Sequence, residues 1–284
     1  MTMPNSTTVA APNSTPVSTP TPIDNADQPL VIKEHNDQVV TLTLNQPKQF
    51  NALSVDVLAA LQTELDTIAA DSGVRVVVIQ ANGKAFCAGH NLKEMRANPD
   101  RAFQDALFDQ CSQMMLTINR MPQVVIAKVQ GIATAAGCQL VAACDLAVAA
   151  DSAKFATSGI NVGLFCSTPA VAVSRNLSRK KAFEMLITGE FIDAQEAMQQ
   201  GLINRIAPAE QLGATLQNLV DAIVSKSPVA VTTGKQMFYQ QLDMSLPDAY
   251  DFAREVMVEN MMADDVAEGI DAFIAKRPAV WTGR

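Results

Sequence analysis

Residues 131–145 read G-I-A-T-A-A-G-C-Q-L-V-A-A-C-D. Here an apolar run, Val124–Val129, gives way to a helix-like pattern across a junction of small side chains only. Gly131 tolerates backbone conformations closed to other residues, and Ala133, Ala135, Ala136 and Gly137 let the backbone approach a neighbouring element or a ligand closely. Thr134 is placed to cap the helix. The amides after it would then be unpaired and would carry the positive end of the helix dipole, a setting that can hold an oxyanion. The same residues would equally serve tight packing of a helix on a sheet, and this stretch alone leaves both readings open.

The flanking sequence alternates strand and helix patterns. Val39–Leu44 (V-V-T-L-T-L) predicts a strand, ended by Asn45, Gln46 and Pro47. Ser54 predicts a helix cap, after which Val55, Leu58, Leu61, Leu65 and Ile68 recur at steps of three and four. The β-branched run 74–79 predicts a buried strand, so strand, helix and strand imply a parallel crossover. Residues 83–89 read as a loop, 101–119 as a helix, Val124–Val129 and Leu146–Ala150 as strands, and 155–167 as a loop of the kind that carries site residues. Further helices are predicted over Arg179–Thr188 and after the capping-box pair Asp193 and Glu196. A short strand follows at 202–206, and the pattern beyond Pro208 is helical.

With 284 residues, 48% of them hydrophobic, the chain can build a large core. No apolar run reaches the ~20 residues of a membrane span, so no membrane partner is expected. A net charge of -8 argues against sequence-independent nucleic-acid binding, which relies on clustered Lys and Arg. The five cysteines, Cys87, Cys111, Cys138, Cys144 and Cys166, lack paired metal spacing and read as reduced core thiols. No metal site is expected. Residues 1–28 are rich in Ser, Thr, Pro and Asn, contain no Lys or Arg, and read as a disordered tail without a targeting signal. A cytoplasmic location is the expectation.

Four segments in this order resemble the enoyl-CoA hydratase/isomerase, or crotonase, superfamily: N-Q-P-K-Q-F-N-A-L (45–53), A-F-C-A-G-H-N-L-K-E (85–94), the central stretch 131–145, and L-I-T-G-E-F-I-D-A-Q-E-A (186–197). The resemblance extends over about residues 30–280. It is near the branch of enoyl-CoA hydratase domain-containing proteins, whose segments similarly read A-A-G-C-Q and N-V-G-L-F-C-S-T-P. It implies an α/β fold with a ββα spiral core over 29–207 and a C-terminal helical region, 208–284, that packs a homotrimer or a hexamer formed as a dimer of trimers. It implies an acyl-CoA thioester as ligand, no separate cofactor, and two backbone amides, His90 and Ala136, bonded to the thioester oxygen. Substrate contacts are implied at Lys48, Asn91, Leu92 and Lys93, with Lys276 and Arg277 as further candidates for the CoA phosphates.

The departures from the family bear on chemistry. The two glutamates that activate water and protonate the α-carbon in its hydratases fall at Gln139 and Gly159, and neither can exchange a proton. Gly159 should leave open space, and Gln139 can orient a water or an acyl group through its amide. Asn91 replaces a common Asp, a change of loop hydrogen bonding more than of chemistry. His90 is the candidate for side-chain proton transfer, while His35 reads as surface. Cys166, Ser167 and Thr168 read as a buried thiol and loop hydroxyls, and Asp145 as a structural carboxylate. An acyl-CoA enzyme weak as a hydratase is the first expectation, a non-catalytic acyl-CoA-binding protein the second, and RNA binding is disfavoured by the charge.

Overall fold

The computed structural model describes residues 1–2 and 28–284; the proposed tail lies almost wholly outside them. Six strands form the main sheet in the order β1-β2-β3-β5-β7-β10: β1 (Val31–Asn36), β2 (Val39–Leu44), β3 (Val76–Ala81), β5 (Val124–Val129), β7 (Leu146–Ala150) and β10 (Arg205–Ala207). β1 and β2 are an antiparallel hairpin, and every later pair is parallel. β1 went unread in the sequence because its outer residues are exposed and polar, which removes the apolar signal. Its turn uses Asp37 at a φ of 53°, and His35, on β1, is exposed as expected.

A second sheet, β4-β6-β8-β9, stands beside the first. Its strands β4 (Ala85–Cys87), β6 (Ile132–Thr134) and β8 (Lys154–Ala156) run parallel, and β9 (Ile192–Asp193) is antiparallel to β8. These strands have two or three residues, too few for a period, and none was read from the sequence: β4 and most of β8 fall in stretches read as loop, β6 in the junction read as leading into a helix, and β9 between two predicted helices. They make the architecture. Each turn of the chain enters the main sheet (β3, β5, β7), turns into the second sheet (β4, β6, β8), and then leaves as a helix or helical turn, giving a spiral of ββα units. This is the α/β crotonase fold with a helical C-terminal region.

The helices read from the sequence form where it placed them, while those at 92–97 and 167–176 were not read from it. α1 (Val55–Ala69) is capped by the Ser54 hydroxyl, which accepts from the Val57 amide at 3.2 Å, and it buries Leu58, Leu61, Leu65 and Ile68. α2 (Leu92–Ala97), α3 (Arg101–Arg120) and α4 (Ala136–Ala143) follow, with α5 (Ser167–Asn176), α6 (Arg179–Thr188) and α7 (Ala194–Gln200) next. α7 is capped by Asp193, whose carboxylate accepts from the Glu196 amide at 2.8 Å. Glu196 does not close the box but pairs with Lys181 at 2.6 Å.

The central strands β3 and β5 are buried on both faces, which explains their continuous β-branched runs. Val77 and Ile79 face the larger core with α1 and α3. Val76, Val78, Val124, Ile126 and Val148 face a smaller one closed by Leu212, Leu219 and Val220 of α8 (Leu212–Val224). α9 (Pro228–Gln241), α10 (Leu246–Met261) and α11 (Asp264–Ile274) complete the chain. Lys235 of α9 reaches back into the body, its Nζ donating to Ile118 O at 2.8 Å and Gln123 O at 2.7 Å and pairing with Asp145 Oδ2 at 2.7 Å. Asp145 Oδ2 also accepts from the Val125 amide at 2.6 Å. The structural reading of Asp145 matches this geometry: it joins β5 to the C-terminal helices.

Candidate functional site

Successive turns of the spiral deliver their junction residues to one place. In the second sheet Cys87 is in register with Ala133, and Thr134 with Ala156. The residues just past these strand ends therefore lie side by side: Ala88, Gly89 and His90 after β4, Ala135 and Ala136 after β6, and Ser158 and Gly159 after β8. Three separate stretches of sequence thus meet because parallel strands end at one level.

Close backbone approach is what makes the junction possible. Gly89 has φ of +88°, and a Cβ on it would stand 2.8 Å from Ala135 Cβ and 3.2 Å from the Ala136 nitrogen. A Cβ on Gly137 would stand 2.1 Å from the Cys87 carbonyl oxygen. The small residues of 131–137 therefore do serve packing, and the packing brings the His90 and Ala136 peptides together. Neither amide donates a hydrogen bond among the described residues.

Thr134 does not cap α4. The cap position is Ala135, held at φ 51° and ψ -122° without a side-chain acceptor, and Thr134 instead shares a 2.7 Å hydroxyl bond with Ser158. A conformation this rare for a residue with a Cβ costs of order 1–3 kcal/mol and persists where the surroundings impose it. Its effect is to leave the first α4 amides without a side-chain partner.

These residues line a cavity of about 320 Å³ whose walls include Ala88, His90, Ala136, Ser158, Gly159 and Cys166. Leu92, Met95, Phe108, Val162, Leu164 and Phe165 supply its apolar surface, and no Asp, Glu, Lys or Arg among the described residues lines it. An apolar cleft with a few convergent polar groups is the common form of a small-molecule site.

The His90 ring is fixed. Its Nδ1 lies 3.2 Å from Leu53 O, and a carbonyl only accepts, so Nδ1 carries the proton. The ring meets Phe108 edge-on with centroids 5.5 Å apart. Burial pushes its pKa below the ordinary histidine value, against a smaller upward pull from the Leu53 bond, so the ring is neutral at physiological pH. Its Nε2 is buried without a partner among the described residues. With one nitrogen tied and the other sealed from the cavity, the ring offers no open route for a proton.

The positions of the absent glutamates differ from expectation. Gln139 is buried on α4, away from the cavity lining, with Oε1 unpaired among the described residues. Gly159 does line the cavity, yet it does not open space along its side-chain direction. A Cβ there would meet Leu164 O at 2.6 Å and Cys166 Sγ at 2.8 Å. The sulfur of Cys166 fills the place where that side chain would begin.

The proposed contacts at the mouth divide. Leu92 lines the cavity, and Lys93 is exposed on α2. Asn91 is occupied as the α2 cap, its Oδ1 accepting from the Lys93 and Glu94 amides at 3.1 and 3.3 Å. Its Nδ2 reaches Gln49 at 3.4 Å, next to the exposed Lys48 in the turn Pro47–Gln49. Arg277 is held by Glu268 in a two-pronged pair, at 2.6 and 2.8 Å, and is not free for a phosphate.

The sequence from residue 34 to 284 matches the enoyl-CoA hydratase/isomerase family. The chain belongs to that family. It is 45% identical over 254 residues to the enoyl-CoA hydratase domain-containing protein 3, mitochondrial, of Xenopus laevis, spanning 89% of this chain and 86% of that protein. An enoyl-CoA hydratase crystal structure from Mycobacterium smegmatis superposes with a TM-score of 0.89 at 53% identity, covering 89% of this chain and 99% of that one. Human enoyl-CoA hydratase domain-containing protein 3 superposes with a TM-score of 0.87 at 43% identity, covering 89% and 100%. The frog, rat, mouse and human relatives are all named as mitochondrial. That finding overturns the cytoplasmic expectation, which rested on reduced thiols and on the composition of a segment outside the described residues; thiols are reduced in the mitochondrial matrix as well.

Proposed function

We propose that the cavity binds an acyl-CoA thioester with its carbonyl oxygen between the His90 and Ala136 amides, and that the protein stabilises the enolate or tetrahedral oxyanion formed there. The observation that carries this is the pair of unpartnered amides on one apolar cavity. Negative charge moves onto the thioester oxygen when the α-carbon loses a proton or the carbonyl is attacked, and a fixed donor at that point can contribute ~10²–10³ in rate. Lys48 and Lys93, exposed on adjoining segments, suit the anionic end of CoA, and Leu92 the acyl chain.

Among the described residues no carboxylate lines the cavity, and the protein is read as a poor hydratase towards simple 2-enoyl-CoAs. A positioned acid or base contributes ~10²–10⁴-fold, and Gln139 and Gly159 supply neither. The test pairs binding with turnover. Short and medium acyl-CoAs should raise Tm, as any ligand specific to the folded state does, and Ala136→Pro, which deletes one donor, should abolish that rise. Crotonyl-CoA hydration should be slow. No thermal shift from any acyl-CoA at saturation refutes the binding reading, and turnover of order 10⁷ M⁻¹s⁻¹ in kcat/KM refutes the weak-hydratase reading.

A further inference from the structure

We propose that the Cys166 thiol carries the proton to and from the acyl α-carbon in this cavity, doing the work assigned in the family's hydratases to a carboxylate. The proposal rests on the acyl-CoA reading above and adds the proton carrier to it. Two observations support it. First, the titratable side chains that line the cavity are His90 and Cys166, and the His90 ring is bound through Nδ1 and sealed at Nε2. Second, Cys166 Sγ stands 2.8 Å from the point a Gly159 Cβ would occupy, so the thiol borders the start of the missing side chain's path. It does so on the cavity that also holds the free Ala136 and His90 amides. The hydroxyls are weaker candidates: Ser158 is engaged with Thr134, and an alcohol ionises far less readily than a thiol.

The step balances without an added reagent. The thiolate takes the α-hydrogen as a proton: the S–H bond forms and the C–H bond breaks. The C–H electron pair becomes the enolate double bond, and the carbonyl π pair moves onto the oxygen facing the two amides. In reverse the thiol gives its proton to the α-carbon, and exchange of S–H with water lets a solvent proton enter.

Burial pushes the Cys166 thiol above its ordinary value, and the Gly159 amide facing the sulfur opposes this in part. The other titratable groups about it are Cys138 of α4, whose thiol burial raises to about 12, and the neutral His90 ring. The thiol therefore rests protonated near neutral pH, ready to donate, and proton removal from carbon should speed up as pH rises.

The experiment follows the α-methylene signal of butyryl-CoA by proton NMR in D₂O with the full-length protein, alongside calorimetric measurement of butyryl-CoA binding. Wild type should exchange its α-hydrogens for deuterium. Cys166→Ala should bind butyryl-CoA as wild type does while exchange falls ~10²-fold or more. Cys166→Ser, close in size and safe for folding, should show the same split. Exchange undiminished in either variant overturns the proposal, as does a variant that loses binding and exchange together. Binding without exchange in wild type overturns it and leaves the acyl-CoA reading standing. Absence of binding in wild type removes the acyl-CoA reading itself.

Discussion

Gly159 illustrates how one residue's meaning depends on its neighbours. A missing side chain suggests room, yet here the neighbouring sulfur and the Leu164 carbonyl have moved into it, as close packing of protein interiors requires. Reinstating the family's second glutamate is therefore a steric problem before it is a catalytic gain. Gly159→Glu should lower stability by ~1–3 kcal/mol through overpacking, seen as a fall of several degrees in Tm. Combined with Gln139→Glu, it should fail to produce an efficient hydratase unless Cys166 is also made smaller. An unchanged Tm in Gly159→Glu would mean the loop 157–169 relaxes easily. At the same scale, Lys235 and Asp145 form a buried pair with side-chain exposures of 5% and 9%. Lys235→Met leaves the buried Asp145 carboxyl without its cation and two carbonyls without a donor, and should cost ~3–5 kcal/mol in chemical denaturation.

Among the elements, the C-terminal segment after α11 is held by few, well-defined contacts. Glu268 accepts from Arg277 and from the Val280 amide, at 2.7 Å for the latter, while the buried Asp265 accepts from the Thr282 and Gly283 amides at 2.7 and 3.2 Å. The Arg277 guanidinium and the Val280 amide hold the Glu268 carboxyl down at about 2. A depressed carboxylate contributes stability that is present above its unfolded value, ~4.3, and is lost as pH falls through its folded value. Acidification from ~4.3 towards 2 should therefore release residues 277–284. The chain's one tryptophan, Trp281, donates to Ser225 O at 2.8 Å and reports the event by fluorescence. Glu268→Gln should show the released signal already at neutral pH, and coincidence of its acid transition with that of wild type would count against this clamp.

For the whole molecule, the exposed surface is informative. Leu246, Tyr250, Met257, Met262, Phe273 and Ile274 along α10 and α11 are each more than half exposed, Phe273 at 84%. We propose that these apolar side chains, on two helices and the turn after the first, form an association surface. With the family resemblance, they support a homotrimer or a dimer of trimers built through the C-terminal helices. Light scattering at micromolar concentration should give three or six times the 30.3 kDa chain mass, and a monomeric mass would remove the assembly. Phe273→Glu with Met257→Lys should dissociate it, because charges would be carried into an apolar contact.

Much of the main sheet and of its covering helices was legible in the sequence, since buried elements of six or more residues repeat their apolar positions often enough to reveal a period, as in α1, α3, β2 and β5. Gly137 and the small residues before it likewise marked where the backbone must come close. The second sheet was not legible, because strands of two or three residues carry no period and owe their pairing to the spiral around them. The Thr134 hydroxyl was misread as a cap, and the contacts of the His90 ring and of Cys166 went unread, for a related reason. Whether a hydroxyl caps a helix, whether an imidazole faces a cavity, and which sulfur fills a glycine's empty side all depend on atoms 24, 37 and 7 positions away: Ser158 from Thr134, Leu53 from His90, and Gly159 from Cys166. Local sequence determined the longer buried strands and helices; only the packing of one turn of the spiral on the next formed the second sheet and decided which polar groups were left free to do chemistry.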